Sequence, residues 1–137
     1  MIHGSIRRTW LDTEERCKKL ASALLKRGIG KGDTVSVLAP NIPELLECHF
    51  AIPMIGAVLN ANNTRLDAST IAYILDHSEA RVLLVDTELS GLAAEALQFA
   101  ETAPLVIDID DPEGPSGQRI GSMDYEDLLA EGDADFI

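Results

Sequence analysis

Four times along this chain a stretch with helical spacing of apolar residues gives way, within a few residues, to a short apolar run of strand type. Consecutive strands separated by helices must lie parallel, because only a crossover can return the chain to the same end of a sheet. Such crossovers lay helices on both faces of the sheet. The expected fold class is therefore α/β, a three-layer sandwich around a mostly parallel sheet. At 137 residues the chain suits one domain and can bury roughly two-thirds of its unfolded surface.

The local signals place the elements. Ser5 to Trp10 reads as a short edge strand. Thr9 with Asp12 has capping-box spacing, and Cys17, Leu20, Ala21 and Leu24 follow at i, i+3, i+4, i+7, so a helix runs from there to Gly28. Thr34 to Ala39 is an apolar strand. Asn41 with Glu44 is expected to cap the next helix, which carries Leu45, Leu46, Phe50, Ile52 and Ile55 and is ended or kinked by Pro53. Ala57 to Asn60 follows as a strand. Leu66 and Ile71 flank an Asp67 cap at hydrophobic-staple spacing. Arg81 to Val85 is a buried strand type with Asp86-Thr87 at its carboxyl end. A helix through Leu89, Leu92, Ala93, Ala96, Leu97 and Ala100 and a strand over Pro104 to Ile109 complete the alternation. The expected organisation is an α/β unit over 1–109, an exposed acidic Pro/Gly loop over 110–121 whose acidic run already starts at Asp108, and a short helix with a run-out over 122–137. Ser122 or Asp124 caps that helix, which carries Tyr125, Leu128 and Leu129.

Composition narrows the function. A formal net charge of −12 argues against nucleic acid or an anionic membrane surface as partner. Prolines and glutamates interrupt the best apolar run, so no membrane span is expected, and no secretory leader is visible. Cys17 and Cys48 read as small core residues in a reducing cytoplasm, with a disulfide between them the minor alternative. The three histidines are isolated, and no metal site is expected.

The stretch from His49 to Arg65 stands out: an apolar helix, a glycine, and an apolar strand ending in Asn60, Asn62, Asn63 and Arg65. Apolar residues all round imply burial on several sides, and the carboxyl ends of strands are where open α/β sheets keep ligand crevices. His49, Asn60, Asn62, Asn63 and Arg65 are therefore the candidate substrate- or channel-lining residues. Each has a structural alternative: a core histidine, asparagines serving a tight turn with positive φ, and an arginine in an ion pair. Asp86 is expected to cap the following helix, and the Asp108–Glu113 cluster to be a solvated loop. Gly28 to Asp33 follows a helix and enters a strand, the reverse of a phosphate-binding loop, so it reads as a helix C-cap and turn. No nucleophile elbow is present. No catalytic residue is assigned.

Thr9-Trp10, Glu15 to Leu24, Arg27 to Val35, Ala39-Pro-Asn-Ile-Pro-Glu44 and above all His49 to Leu66 resemble the beginning of an acyl-CoA synthetase of the adenylate-forming superfamily. Tyr125 to Asp133 resembles the segment just before the catalytic core in the same branch. The resemblance implies the N-terminal, incomplete part of that enzyme fold. It further implies a parent that activates a carboxylic acid, expected to be fatty, with ATP and Mg to an acyl-adenylate and passes the acyl group to CoA. The phosphate loop, magnesium ligand, ribose aspartate and mobile lysine of that family have no matching position here. The chain alone is thus expected to bind none of these cofactors and to be inactive, with a homodimer as one candidate assembly. Two other readings stay open from the residues: a free-standing α/β binding or oligomerisation module, and a flavodoxin-like or dinucleotide-binding domain, which the missing phosphate loop disfavours.

Overall fold

The computed structural model describes residues 1–115 and 117–136. A hairpin of β1 (Ile2–His3) and β2 (Ile6–Arg7) precedes α1 (Trp10–Lys26), β3 (Thr34–Leu38), α2 (Pro43–Met54), β4 (Val58–Ala61), α3 (Ala68–His77) and β5 (Ala80–Asp86). A 3-10 turn, α4 (Ser90–Phe99), β6 (Leu105–Ile109), β7 (Met123–Asp124) and α5 (Tyr125–Ala130) follow. The main sheet runs β4-β3-β5-β6-β7, and all its pairings are parallel. The expected α/β sandwich is what forms. In the segment expected as an edge strand of the sheet, Ile6–Arg7 instead pairs with Ile2–His3 in a separate two-stranded antiparallel ribbon, and Thr9 and Trp10 already belong to the start of α1.

Side-chain alternation along the central strands feeds two cores. Val35, Val37, Val82, Leu84, Ile107 and Ile109 face α1, α2 and α5. Leu38, Leu83 and Val85 face α3 and α4. This near-continuous apolar character is what a strand buried on both faces requires.

Local chemistry sets most helix ends. The Thr9 hydroxyl accepts from the Asp12 amide, and the Asp12 carboxylate accepts from the Thr9 amide, completing the capping box. Arg27 closes α1, Gly28 turns at φ +83°, and the Ile29 amide donates to the Leu24 carbonyl while Ile29 is buried. That is a glycine C-cap of Schellman type. Asp67 caps α3, with Leu66 and Ile71 packed in the same core. Asp124 caps α5 through the Asp127 amide.

Asn41 does not cap α2. Ile42 takes the N-cap position at φ −114° and ψ 166°, without a side-chain cap. The residue before a proline is pushed into the extended region, and Pro43 is preset for the first helical position, so the start falls one residue later than expected.

The larger correction concerns the stretch from His49 to Arg65. β4 is the outermost strand, and Val58 is half exposed. The reason is topological: β5 pairs with the other side of β3, which leaves β4 at the rim. Within α2 the buried positions are Pro43, Glu44, Glu47, Cys48, Ala51 and Ile52, whereas His49, Phe50 and Met54 are exposed. The helix thus buries two acids among its apolar core residues and leaves two large apolar side chains in the open, a departure from an ordinary surface helix.

The inward acids are not equivalent. Glu47 is fully buried. Its Oε2 accepts from Arg16 Nε at 2.7 Å and Arg8 at 3.3 Å, and its Oε1 accepts from the Tyr125 hydroxyl at 2.8 Å and Arg16 Nη2 at 3.3 Å. Arg16 reaches on to Glu126. Burial opposes the Arg16 charge, but hydrogen bonds to Glu126 and Glu47 outweigh it and hold the guanidinium pKa above its ordinary value. Removing one partner of a buried charge pair leaves the other uncompensated and costs about 3–5 kcal/mol. Glu47→Ala should lose about that much in urea unfolding, whereas Glu126→Ala, at an exposed site, should lose at most about 1 kcal/mol. Equal losses would show that Glu47 is not the organising partner.

Candidate functional site at the carboxyl edge of the sheet

In a parallel sheet every strand delivers its carboxyl end to one rim. β3 is flanked by β4 on one side and β5 on the other, so the order of connection reverses between β3 and β5. That switch point is the expected ligand crevice. Its flanks are Pro40-Asn41 after β3 and Asp86-Thr87 after β5.

The rim is acidic and largely filled by the chain itself. Asp86 is buried and accepts from the Glu88 amide at 2.8 Å, capping the 3-10 turn rather than the expected helix, which begins after Leu89 without a side-chain cap. Burial pushes its carboxyl pKa up, and the neighbouring charges of Asp111, Glu88 and Asp110 push the same way. Gly117 packs directly over the Thr87 carbonyl, where any Cβ would collide. His3 Nε2 lies 2.9 Å from Asp111 Oδ2, and Ser5 bonds Glu113, so the acidic loop is drawn back onto the N-terminal ribbon. Its buried members correct the expectation of a solvated loop. Asp108 is almost fully buried and accepts from the amides of Ile120 at 3.0 Å and Gly121 at 2.8 Å, and Asp111 is buried as well. Backbone amides brought from twelve and thirteen residues away replace water there.

The sequence candidates divide. Asn60 donates to Ser36 Oγ at 2.9 Å across paired β3 and β4. Asn62 donates to the Val37 carbonyl through Nδ2 at 3.3 Å and through its backbone amide at 2.9 Å. Asn63 Oδ1 accepts from the Arg65 amide at 2.9 Å, an Asx turn. Among the described residues Glu79 is the one non-glycine residue with positive φ, so the asparagines do not serve the left-handed turn considered for them. Arg65 is exposed and makes no ion pair among the described residues. His49 is neither buried nor at this rim. It sits on the outer side of α2, with Nδ1 2.8 Å from the Leu45 carbonyl. The structure therefore brings the four residues Asn60 to Arg65 together at the end of β4 and leaves His49 apart.

Sequence reasoning missed where polar atoms remain unpaired. Among the described residues, the buried side-chain atoms without a partner are Glu44 Oε2, Asn62 Oδ1 and Thr87 Oγ1. They follow β3, β4 and β5 respectively, at the same rim. Burial raises the Glu44 carboxyl pKa, with the Glu47 charge adding to it. Glu44 lines a recess of about 280 Å³ together with Arg8, Asp110, Arg119, Asp124 and Tyr125. The signal for Glu44 and Glu47 was the i, i+3 spacing of two acids within the buried stripe of α2.

The rim does not suit a nucleotide triphosphate. Gly28 and Gly32 have positive φ but serve the end of α1 and the turn into β3, with the Gly32 amide donating to the Gly56 carbonyl. Among the described residues no glycine turn leads from a strand into a helix N-terminus, and the rim carboxylates repel phosphate. Among the described residues no group of three or more His, Cys, Asp or Glu is arranged to hold a metal ion. No helix among them is long and apolar enough to cross a membrane. Both cysteines are free and buried, and burial pushes the Cys17 thiol up to about 11, so neither is an activated nucleophile.

A doubly wound α/β unit, its acidic rim largely filled by its own chain, is the class these features define. A model of the AMP-binding enzyme family matches residues 1–131, and the chain belongs to that family. It is 45% identical to the peroxisomal acetate/butyrate–CoA ligase of Arabidopsis thaliana, over 99% of this chain and 26% of that protein. An acetate–CoA ligase of Humulus lupulus is also 45% identical with the same coverage. Among solved structures, an anthranilate CoA ligase bound to anthranoyl-AMP superposes with a TM-score of 0.85 at 22% identity, covering 97% of this chain and 25% of that one. A benzoate CoA ligase from Burkholderia xenovorans LB400 gives 0.80 at 23% identity, with 96% and 25% covered. The chain spans about a quarter of the proteins it matches.

The Asp86 carboxyl supplies a test of the rim's electrostatics. Its folded pKa is raised, so the charged form is disfavoured in the folded state and the penalty is present at neutral pH. Below the unfolded value near ~4 both states are protonated and the penalty is gone. Asp86→Asn keeps the cap acceptor. It should raise the melting temperature at pH 7, and the two proteins should converge below about pH 4. A lower melting temperature at pH 7 would contradict the repulsion.

Proposed function

We propose that this chain is an N-terminal section of an acyl-CoA synthetase. The parent activates a carboxylic acid with Mg·ATP to an acyl-adenylate and then transfers the acyl group to CoA. The observation that carries this reading is 45% identity along nearly the whole chain to enzymes named as CoA ligases, of which it matches only about a quarter. Relatives named for acetate, butyrate, 2-methylpropanoate, benzoate and cinnamate favour a short-chain or aromatic acid over the fatty acid expected from the sequence. The buried free thiols suit a reducing compartment, the cytoplasm of the original expectation or the peroxisome that several relatives' names carry.

In this reading residues 1–109 are scaffold, the 110–121 loop ties the sheet rim to the N-terminal ribbon, and 122–137 lead toward the catalytic core. Asn60, Asn62, Asn63 and Arg65 form a contact point for that core, because Asn62 Oδ1 is buried without a partner and Arg65 is free to reach outward. His49 belongs to the outer face of α2 instead. ATP, Mg, the acid and CoA bind to groups outside this chain.

The test is carboxylate-dependent ATP–pyrophosphate exchange with acetate, butyrate and benzoate. The 137-residue chain should show none. A chimera in which it replaces the matching quarter of the Arabidopsis acetate/butyrate–CoA ligase should retain exchange and thioester formation. Exchange by the chain alone would place the chemistry within it, and a folded but inactive chimera would count against the ligase reading.

A further inference from the structure

We propose that the outer face of α1 and α2 is the seat on which the rest of the ligase packs, with a bulky apolar side chain of the catalytic portion filling the groove between the two helices. This rests on the reading of the chain as part of a longer ligase.

The face is apolar where a surface helix pair should be polar. Trp10 and Leu11 are each 72% exposed, Phe50 48% and Met54 47%. Trp10, Thr13, Glu14, Cys17, Phe50 and Met54 line a groove of about 310 Å³. Phe50 and Met54 lie one helical turn apart on α2, three and seven residues after Glu47, so they continue along the helix beside that acid and border α1. Three large apolar side chains from two helices around one groove are more than a stray exposed residue. Glu47 is held inside by Arg16 and Tyr125, while Phe50 and Met54 on the same helix stay exposed. β4, which belongs to the same flank, leaves its outer edge unpaired among the described residues, with Val58 52% exposed. Exposed apolar patches of this kind mark interaction surfaces.

The occupant follows from length and charge. The proteins that this chain matches are about four times longer, so most of each relative lies outside the matched part and must meet it somewhere. A second copy would bring another net charge of −12 against the first. An anionic bilayer is opposed by the same charge and by Glu14 at the groove wall. A groove of this size suits a single large side chain in close packing.

Phe50→Glu with Met54→Glu tests the seat in two contexts, the isolated chain and the chimera with the Arabidopsis ligase. Both positions are exposed in the isolated chain, so its melting temperature should move by no more than about 3 °C. The chimera should lose about 8 °C or more or become insoluble. p-Benzoylphenylalanine at position 50 of the otherwise unaltered chimera should crosslink within one polypeptide, to peptides of the catalytic portion. Equal melting shifts in both contexts would overturn the proposal. So would crosslinks only between copies, or a concentration-dependent dimer of the isolated chain that the double variant disperses, since the occupant would then be a second copy. The two readings fail separately. A chimera that crosslinks as expected but makes no thioester removes the activity and keeps the seat, whereas an active chimera without the crosslink removes the seat and keeps the activity.

Discussion

The carboxylate of Glu47, withdrawn entirely from water, is the constraint on which the helical layer beside the sheet depends. A charge in that position is tolerable only if donors surround it. Those donors come from separate parts of the chain: Arg8 before α1, Arg16 within it, and the Tyr125 hydroxyl on α5, 78 residues away. Burial drives the Tyr125 pKa far up, which keeps the phenol protonated as a donor to Glu47. The Cys17 thiol completes the contact by facing the Glu47 carbonyl at 3.7 Å. One acid thereby fixes the mutual orientation of α1, α2 and α5, and through α5 it holds β7 against β6.

That arrangement places a charged network within the buried side of α2. Phe50 and Met54, on the same helix, stay exposed next to Trp10 on α1. Meanwhile the sheet rim, where a doubly wound fold ordinarily accepts a ligand, is occupied by Asp86, Asp108 and Asp111 and strapped to the N-terminal ribbon. The exposed face of α1 and α2 is apolar, and the acidic rim is poorly suited to phosphate.

Much of the fold was legible because its signals are local. Thr9 with Asp12, Asp67 with Thr70, and Asp124 with Asp127 close their hydrogen bonds within one turn of helix, so spacing alone reveals them. Strand-type runs such as Arg81 to Val85 declare burial on both faces through composition. The candidate site was less legible. Asn60 looked like a ligand-lining residue, yet its partner is Ser36 on the neighbouring strand, and nothing in either segment names the other. Glu47 stood in the sequence only as an acid interrupting an apolar run, because its partners are dispersed over the chain. His49, read as part of a buried helix, lies on the face that this chain leaves open.

The alternation of helix and strand, the capping of α1, α3 and α5, and the parallel α/β class were determined by the sequence itself, since each follows from periodicity or from hydrogen bonds spanning a few residues. Tertiary structure alone decided that β5 pairs with β3 and leaves β4 as an edge strand, that Asp108 is buried against amides twelve residues on, and that Phe50 and Met54 of α2 stay exposed. The physical reason is range. A strand's neighbour, a buried acid's donors and the exposed side of a helix depend on which distant surfaces meet, and no local pattern carries that information.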